Sequence, residues 1–129
     1  MRGRPRDSHV ELTVKLNHLD LQVLDVPAAA AFFVTHFGFA YRTRADSPAI
    51  AILDGDGFSL VLQRRDAVAY PEGFHVGFIV DDPAEVRRRR EALAAAGVQV
   101  SAVIVNARGT ICYCHGPSGI VVEVSARAR

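Results

Sequence analysis

Cysteine is scarce in this chain, with only Cys112 and Cys114 among 129 residues, and their CYC spacing puts both on one side of a strand. Alternate residues of one strand are poorly placed to bridge, so reduced packing thiols are expected rather than a disulfide framework. An excess of one charge is also missing. Fifteen basic against fourteen acidic residues leave a formal net charge of +1, which gives no reason for nucleic acid or an acidic surface as partner. No apolar run approaches the ~20 residues of a membrane span, and the opening MRGRPR is basic rather than apolar as a signal peptide would be. The expectation is a soluble, cytoplasmic protein without a membrane partner, in which residues 1–13 form a flexible basic N-terminus.

What is present is half apolar and 22 % charged, long enough for one domain over residues 14–129 with a real core. The chain also repeats itself. NHLDLQVLDVPAAAAFFVTHFGF, from Asn17 to Phe39, lies beside FHVGFIVDDPAEVRRRREALAAAGV, from Phe74 to Val98. Each enters a strand through a histidine, then passes acids and a proline, an alanine-rich helical stretch and a glycine. Pro27 and Pro83 suit a first helical turn, Asp82 an N-cap, and Gly38 and Gly97 the left-handed position past a helix end. Val86 and Leu93 share one stripe of the second helix, while Arg87 to Arg90 read as a solvated face.

Three β-like runs follow each helix. FAYRTRA, PAIAILD and FSLVLQ come first, then VQVSAVIV, GTICYCH and IVVEVS, with turns at Ser47-Pro48, Gly55-Asp56-Gly57, Asn106 to Gly109 and Gly116-Pro117-Ser118-Gly119. The predicted fold is α+β: two βαβββ modules, at about 14–64 and 73–125, forming a cupped, barrel-like mixed sheet with helices outside.

Strand parity singles out the polar lining. Leu19, Leu21 and Val23 alternate with His18, Asp20 and Gln22; Phe74, Val76, Phe78 and Val80 with His75, Gly77 and Ile79; Phe58, Leu60 and Leu62 with Ser59, Val61 and Gln63; Ile120, Val122 and Val124 with Val121, Glu123 and Ser125. If the sheet curls, the second faces line a concavity. His18, His75 and Glu123 then stand at corresponding depths on three strands. Two imidazoles and a carboxylate suffice to hold a divalent metal (Fe, Mn, Co, Ni or Zn) with positions left open. The competing reading, hydrogen-bonded lining histidines, is weakened by the matched place of both histidines in the repeats.

LNHLDLQVLDVPAAAAFF, FHVGFIVDD and CYCHGPSGIVVEVS resemble the vicinal oxygen chelate superfamily, which includes glyoxalase I, extradiol dioxygenases, methylmalonyl-CoA epimerase and the fosfomycin and bleomycin resistance proteins. The resemblance implies a metal held by His18, His75 and Glu123, a small-molecule substrate, and a homodimer in which the first module of one chain completes the cup with the second module of its partner, the alternative being modules that pair within one chain. Glyoxalase I-type members use a further side chain from the last strand of the first module. Here the in-facing candidates are Val61 and Gln63, neither a carboxylate, which counts against that activity, while Gln63 as a glutamine ligand resembles the epimerases. Tyr113 stands where fosfomycin-modifying members have a tyrosine near the substrate, so Tyr113 and Gln63 are the catalytic candidates. Against the fosfomycin assignment, Asp20 stands where a threonine is expected, Ile120 replaces a polar residue, and no basic tail follows Glu123. The function expected is a metal-dependent dioxygenase, isomerase, lyase or resistance-type transferase. The alternative is a metal-free dimeric binding protein that sequesters a drug-like molecule, as bleomycin resistance proteins do.

Overall fold

The computed structural model describes residues 13–129; the expectation for the basic N-terminus lies, up to residue 12, outside the described residues. The first module runs β1 (His18–Val23), α1 (Val26–Phe37), β2 (Ala40–Tyr41), β3 (Ile50–Gly55) and β4 (Phe58–Arg64), in sheet order β1-β4-β3-β2. The second repeats this as β5 (His75–Ile79), α2 (Pro83–Ala95), β6 (Ile104–Asn106), β7 (Gly109–His115) and β8 (Val121–Arg127), in order β5-β8-β7-β6. β1 lies parallel to β4 and β5 parallel to β8, while the other neighbours are antiparallel. The α+β fold of two βαβββ modules is therefore the one the repeat predicts, built as two separate four-stranded sheets with no closed barrel.

Local chemistry sets the helix ends. Asp25 and Asp82 cap α1 and α2 by accepting the N–H groups of Ala28 and Glu85 at 3.0 and 2.8 Å, and a proline follows each cap in the first turn. Gly38 and Gly97 take left-handed φ of 76° and 85° where each helix stops. Two strands are shorter than the sequence suggests. β2 ends at Tyr41 because Thr43 Oγ1 takes the Ile52 N–H at 3.2 Å, replacing a backbone ladder bond. In the second module residues 99–101 do lie along β7, through Ser101 N–H to Tyr113 O at 2.8 Å and His115 N–H to Gln99 O at 3.0 Å. Only Val100 forms a bridge there, and the ladder resumes at Ile104.

Most of the apolar faces of the two sheets share one core, while Cys112, Val124 and Ala126 of the second sheet form a smaller cluster with Val86 of α2. Leu21, Val23, Leu60 and Leu62 from the first sheet and Cys114 and Val122 from the second, with Ile120 just before β8, pack in a single cluster with Ala29, Ala30 and Phe33 of α1. Phe37 stacks on Phe78 with ring centroids 4.1 Å apart and planes 3° from parallel. Polar stitches lie at both ends of α1: Arg89 Nη1 donates to His36 O at 3.2 Å beside the stack, and Leu24 N–H to Ser118 Oγ at 2.8 Å at the other end. The modules are joined back to back, and their polar faces turn away from the joint.

The connection between modules seals part of β1's free edge. The Tyr70 hydroxyl accepts the Gln22 N–H at 3.0 Å and donates to Gln22 O at 2.5 Å, while its ring stacks on Phe74 at 4.7 Å. Burial raises the Tyr70 pKa, the Asp20 charge adds to the rise, and the bond to Gln22 opposes it. Folding therefore favours the protonated phenol, and the stability it contributes is present below the ordinary tyrosine pKa of about 10 and lost as pH climbs through the higher folded value.

Three outcomes are expected. Phe78→Ala removes the stack between modules and should cost about 2–4 kcal/mol, toward the lower end because Phe78 is half-buried; urea unfolding should remain one transition at a lower midpoint. Tyr70→Phe should cost about 1 kcal/mol, speed hydrogen exchange at the Gln22 amide, and flatten the fall in stability above pH 10. Burial pushes the Cys114 thiol up to about 11 and raises Cys112 as well, so at neutral pH both should react with Ellman's reagent only after denaturation.

Candidate metal centre

In the second module the β register gathers three of the predicted residues. Gly77 lies opposite Glu123 on β8, and Tyr113 lies opposite Glu123 on the other side, so His75, Glu123 and Tyr113 share the polar face. His75 Nε2 is 3.4 Å from Glu123 Oε1, and the Tyr113 ring meets the imidazole edge-on at 6.2 Å. Gly77 presents no side chain beside Glu123: a Cβ there would meet Glu123 Cβ at 3.6 Å, an ordinary contact. Ser101 holds the Tyr113 backbone through both its own N–H and its hydroxyl, which accepts the Tyr113 N–H at 3.0 Å.

The other imidazole nitrogen decides the electrostatics. His75 Nδ1 is 2.8 Å from Gly73 O, and a carbonyl only accepts, so the proton of a neutral ring sits on Nδ1. Nε2 then turns a lone pair toward a carboxylate oxygen. Two acceptors at that distance call for a cation with them, a proton or a metal ion. Glu123's side chain is only 15 % exposed, and no lysine or arginine among the described residues pairs with it. An imidazole nitrogen oriented by a backbone carbonyl, beside a carboxylate, is the donor chemistry of a divalent metal site.

The first module carries the remaining candidates. His18, Asp20 and Gln22 lie opposite Ser59, Val61 and Gln63. Gln63 Nε2 donates to Asp20 Oδ2 at 2.5 Å. Gln63 is four residues beyond Ser59, His18's neighbour, which places it about 13 Å along the strand from His18. Val61 is nearer but 7 % exposed and has no donor atom. Among the described residues, no group of three His, Cys, Asp or Glu is arranged to hold a metal ion. The structure thus collects His75, Glu123 and Tyr113 on one sheet and His18, Asp20 and Gln63 on the other.

Two lining residues were not singled out as site candidates from the sequence. Asp20 is the partner of Gln63. His115 shares the face of Tyr113 and flanks Val121, which has His75 on its other side; the i, i+2 parity from Tyr113 was the available signal. A cavity of about 810 Å³ lies instead between the apolar faces, lined by Phe33, Phe37, Phe58, Leu60, Val76 and Phe78 among others. It contains none of the candidate ligands.

Comparison with known proteins agrees with this architecture. A family model described as Glyoxalase/Bleomycin resistance protein/Dioxygenase superfamily matches residues 15–124. Among solved structures, a possible glyoxalase from Bacillus cereus is 34 % identical, with 88 % of this chain and 99 % of that chain covered and a TM-score of 0.76. The fosfomycin resistance protein FosX from Listeria monocytogenes is 20 % identical over 91 % of this chain and 96 % of its own, with a TM-score of 0.77. A mutant of that FosX, complexed with Mn(II) and a dihydroxypropylphosphonic acid, is 19 % identical over 91 % and 93 % of the two chains, with a TM-score of 0.75. No match was found among curated proteins. A family match over nearly all the described residues, on a fold of two βαβββ modules, establishes that the chain belongs to the Glyoxalase/Bleomycin resistance protein/Dioxygenase superfamily.

Proposed function

We propose that the protein is a metal-dependent enzyme of the vicinal oxygen chelate type, acting on a small oxygen-rich molecule in the cytoplasm. The observation that carries this reading is the His75–Glu123 pair, two acceptor atoms 3.4 Å apart with the imidazole proton held on the far nitrogen by Gly73. In this reading His18 completes the ligand set. It stands on the sheet whose polar face turns away from that pair, so it comes from a second copy of the chain, and the functional unit is a homodimer with two equivalent sites.

The free edges support such a joint. Asn17 O and Val23 O bond toward β4 and its continuation, so the peptide groups of His18 and Asp20 face the open edge of β1, those of Gln22 being taken by Tyr70. On β5, Val80 N–H bonds back to β8, which leaves those of His75, Gly77 and Ile79 facing its open edge. Both sets belong to lining residues. Joining the edges of two copies therefore brings the two linings onto one side.

A metal bound there supplies Lewis acidity for two neighbouring substrate oxygens. The chain's own residues do the rest. The Gly73 carbonyl orients His75, Gly77 presents no side chain beside Glu123, and Tyr113 presents a phenol beside the imidazole where a substrate oxygen can be held.

Purified protein should take up about one equivalent of divalent metal per chain, and Glu123→Ala should lose most of it, since two remaining ligands leave an ion largely hydrated. Refolding His18→Ala together with Glu123→Ala should restore one intact site in each mixed dimer. No uptake by the wild type would favour the metal-free binding protein, and no recovery on mixing would place each site within a single chain.

A further inference from the structure

We propose that the cavity between the apolar sheet faces is a second binding site, away from the candidate metal ligands, and that it takes an apolar monocarboxylate with its tail among the phenylalanines and its head on Arg89. About 810 Å³ of space lies there, within the range of small-molecule sites. Both modules build its walls: Phe58 and Leu60 come from the first sheet, Val76 and Phe78 from the second, and Phe33 and Phe37 from α1. Phe33 and Leu60 are buried, but Phe37, Phe58, Val76 and Phe78 are only partly so. Apolar surface inside the joint therefore stays wet. A tail laid against these side chains removes that surface from water, which drives entry whatever the head group.

The charged lining residues choose the head. Arg89 lines the cavity from α2 and is held in place, its Nε donating to Glu85 Oε2 at 2.8 Å and its Nη1 to His36 O at 3.2 Å. Those bonds take two of the five N–H groups that a guanidinium carries, so the same side chain can also receive a carboxylate. Glu85 is shared with Arg88, and α2 carries Arg87 to Arg90 against Glu85 and Glu91. The excess charge on this side is positive. Asp56 lines the same cavity from the tight turn between β3 and β4, where it and Gly57 take φ of 49° and 80°. Its charge works against an anion, but as one exposed, screened carboxylate against the arginines of α2. Removing Arg89 and removing Asp56 therefore move the affinity for an acid in opposite directions.

The test uses the full-length protein and three ligands that share one chain, octanoate, octanol and octylammonium, titrated by calorimetry. Octanoate should bind about three- to fivefold more tightly than octanol, a modest factor because the Arg89 side chain is half exposed, and octylammonium should bind weakest. Arg89→Gln should bring octanoate down to the level of octanol and leave octanol unchanged. Asp56→Asn, which suits the left-handed turn position, should tighten octanoate. Methyl NMR of the wild type should show Leu19, Leu60 and Val76 shifting with octanoate and with octanol alike, which locates the site without a variant that must fold. Glu123→Ala, which removes a proposed metal ligand, should bind octanoate as the wild type does. Loss of octanoate binding in that variant would put the acid at the metal centre and overturn the proposal. Octylammonium binding as tightly as octanoate, or an unchanged preference in Arg89→Gln, would overturn it as well. So would the failure of all three to bind, the result expected if another part of the chain or a second copy fills the cavity.

Discussion

The packing of two apolar sheet faces into one cluster, with the Phe37 ring flat against Phe78, is the contact on which the rest of the molecule depends. α1 supplies Ala29, Ala30 and Phe33 to the joint, small residues that let strands approach and one ring that fills the gap. Once the apolar faces are committed to each other, every polar residue of alternate parity turns outward. The lining is thus a by-product of the core: His18, Asp20, His75 and Glu123 face away from the joint because Leu19, Leu21, Val76, Phe78 and Val122 face into it and Val124 packs under α2.

That dependence explains what could be read in the sequence. The repeat, the helix punctuation and the alternation in β1, β4, β5 and β8 are local signals, each carried by residues two to four apart, and the fold follows them. Asp20 with Gln63 and His75 with Glu123 fall on common faces because parity is fixed by the backbone. The short β2 was not legible, since Thr43 Oγ1 replaces a ladder bond that any strand-forming sequence would be expected to make. The interruption between Ser101 and Ile104 belongs to the same class, with Arg90 Nε reaching across from α2 to take the Ser101 carbonyl at 2.8 Å. Least legible was the relation between the two sheets. A curled common sheet and two sheets placed back to back require the same apolar alternation, and only the contacts of α1, Phe78 and Ser118 distinguish them.

Electrostatics at the lining is set by fixed geometry. Gly73 places the proton of His75 on the nitrogen away from Glu123, and Gln63 holds one oxygen of Asp20. In each case a neutral backbone or amide group orients a group that can meet a cation or a hydroxyl. Elsewhere charge is spent on the surface. Glu85 is drawn below the usual carboxylate range by hydrogen bonds from Arg88 and Arg89, and these pairs lie on the solvated face of α2.

Tyr70 bears on how far a strand edge can grow. With its hydroxyl on Gln22 and the Ser118 hydroxyl on the Leu24 N–H, the open edge of β1 has only the peptide groups of His18 and Asp20 to offer. Cross-β stacks are built from uninterrupted segments of about six or seven residues. An edge cut to two peptide groups can make a short joint with one neighbour but cannot template a chain of successive additions, so the same phenol that fastens the connection between modules keeps this edge from seeding a fibril.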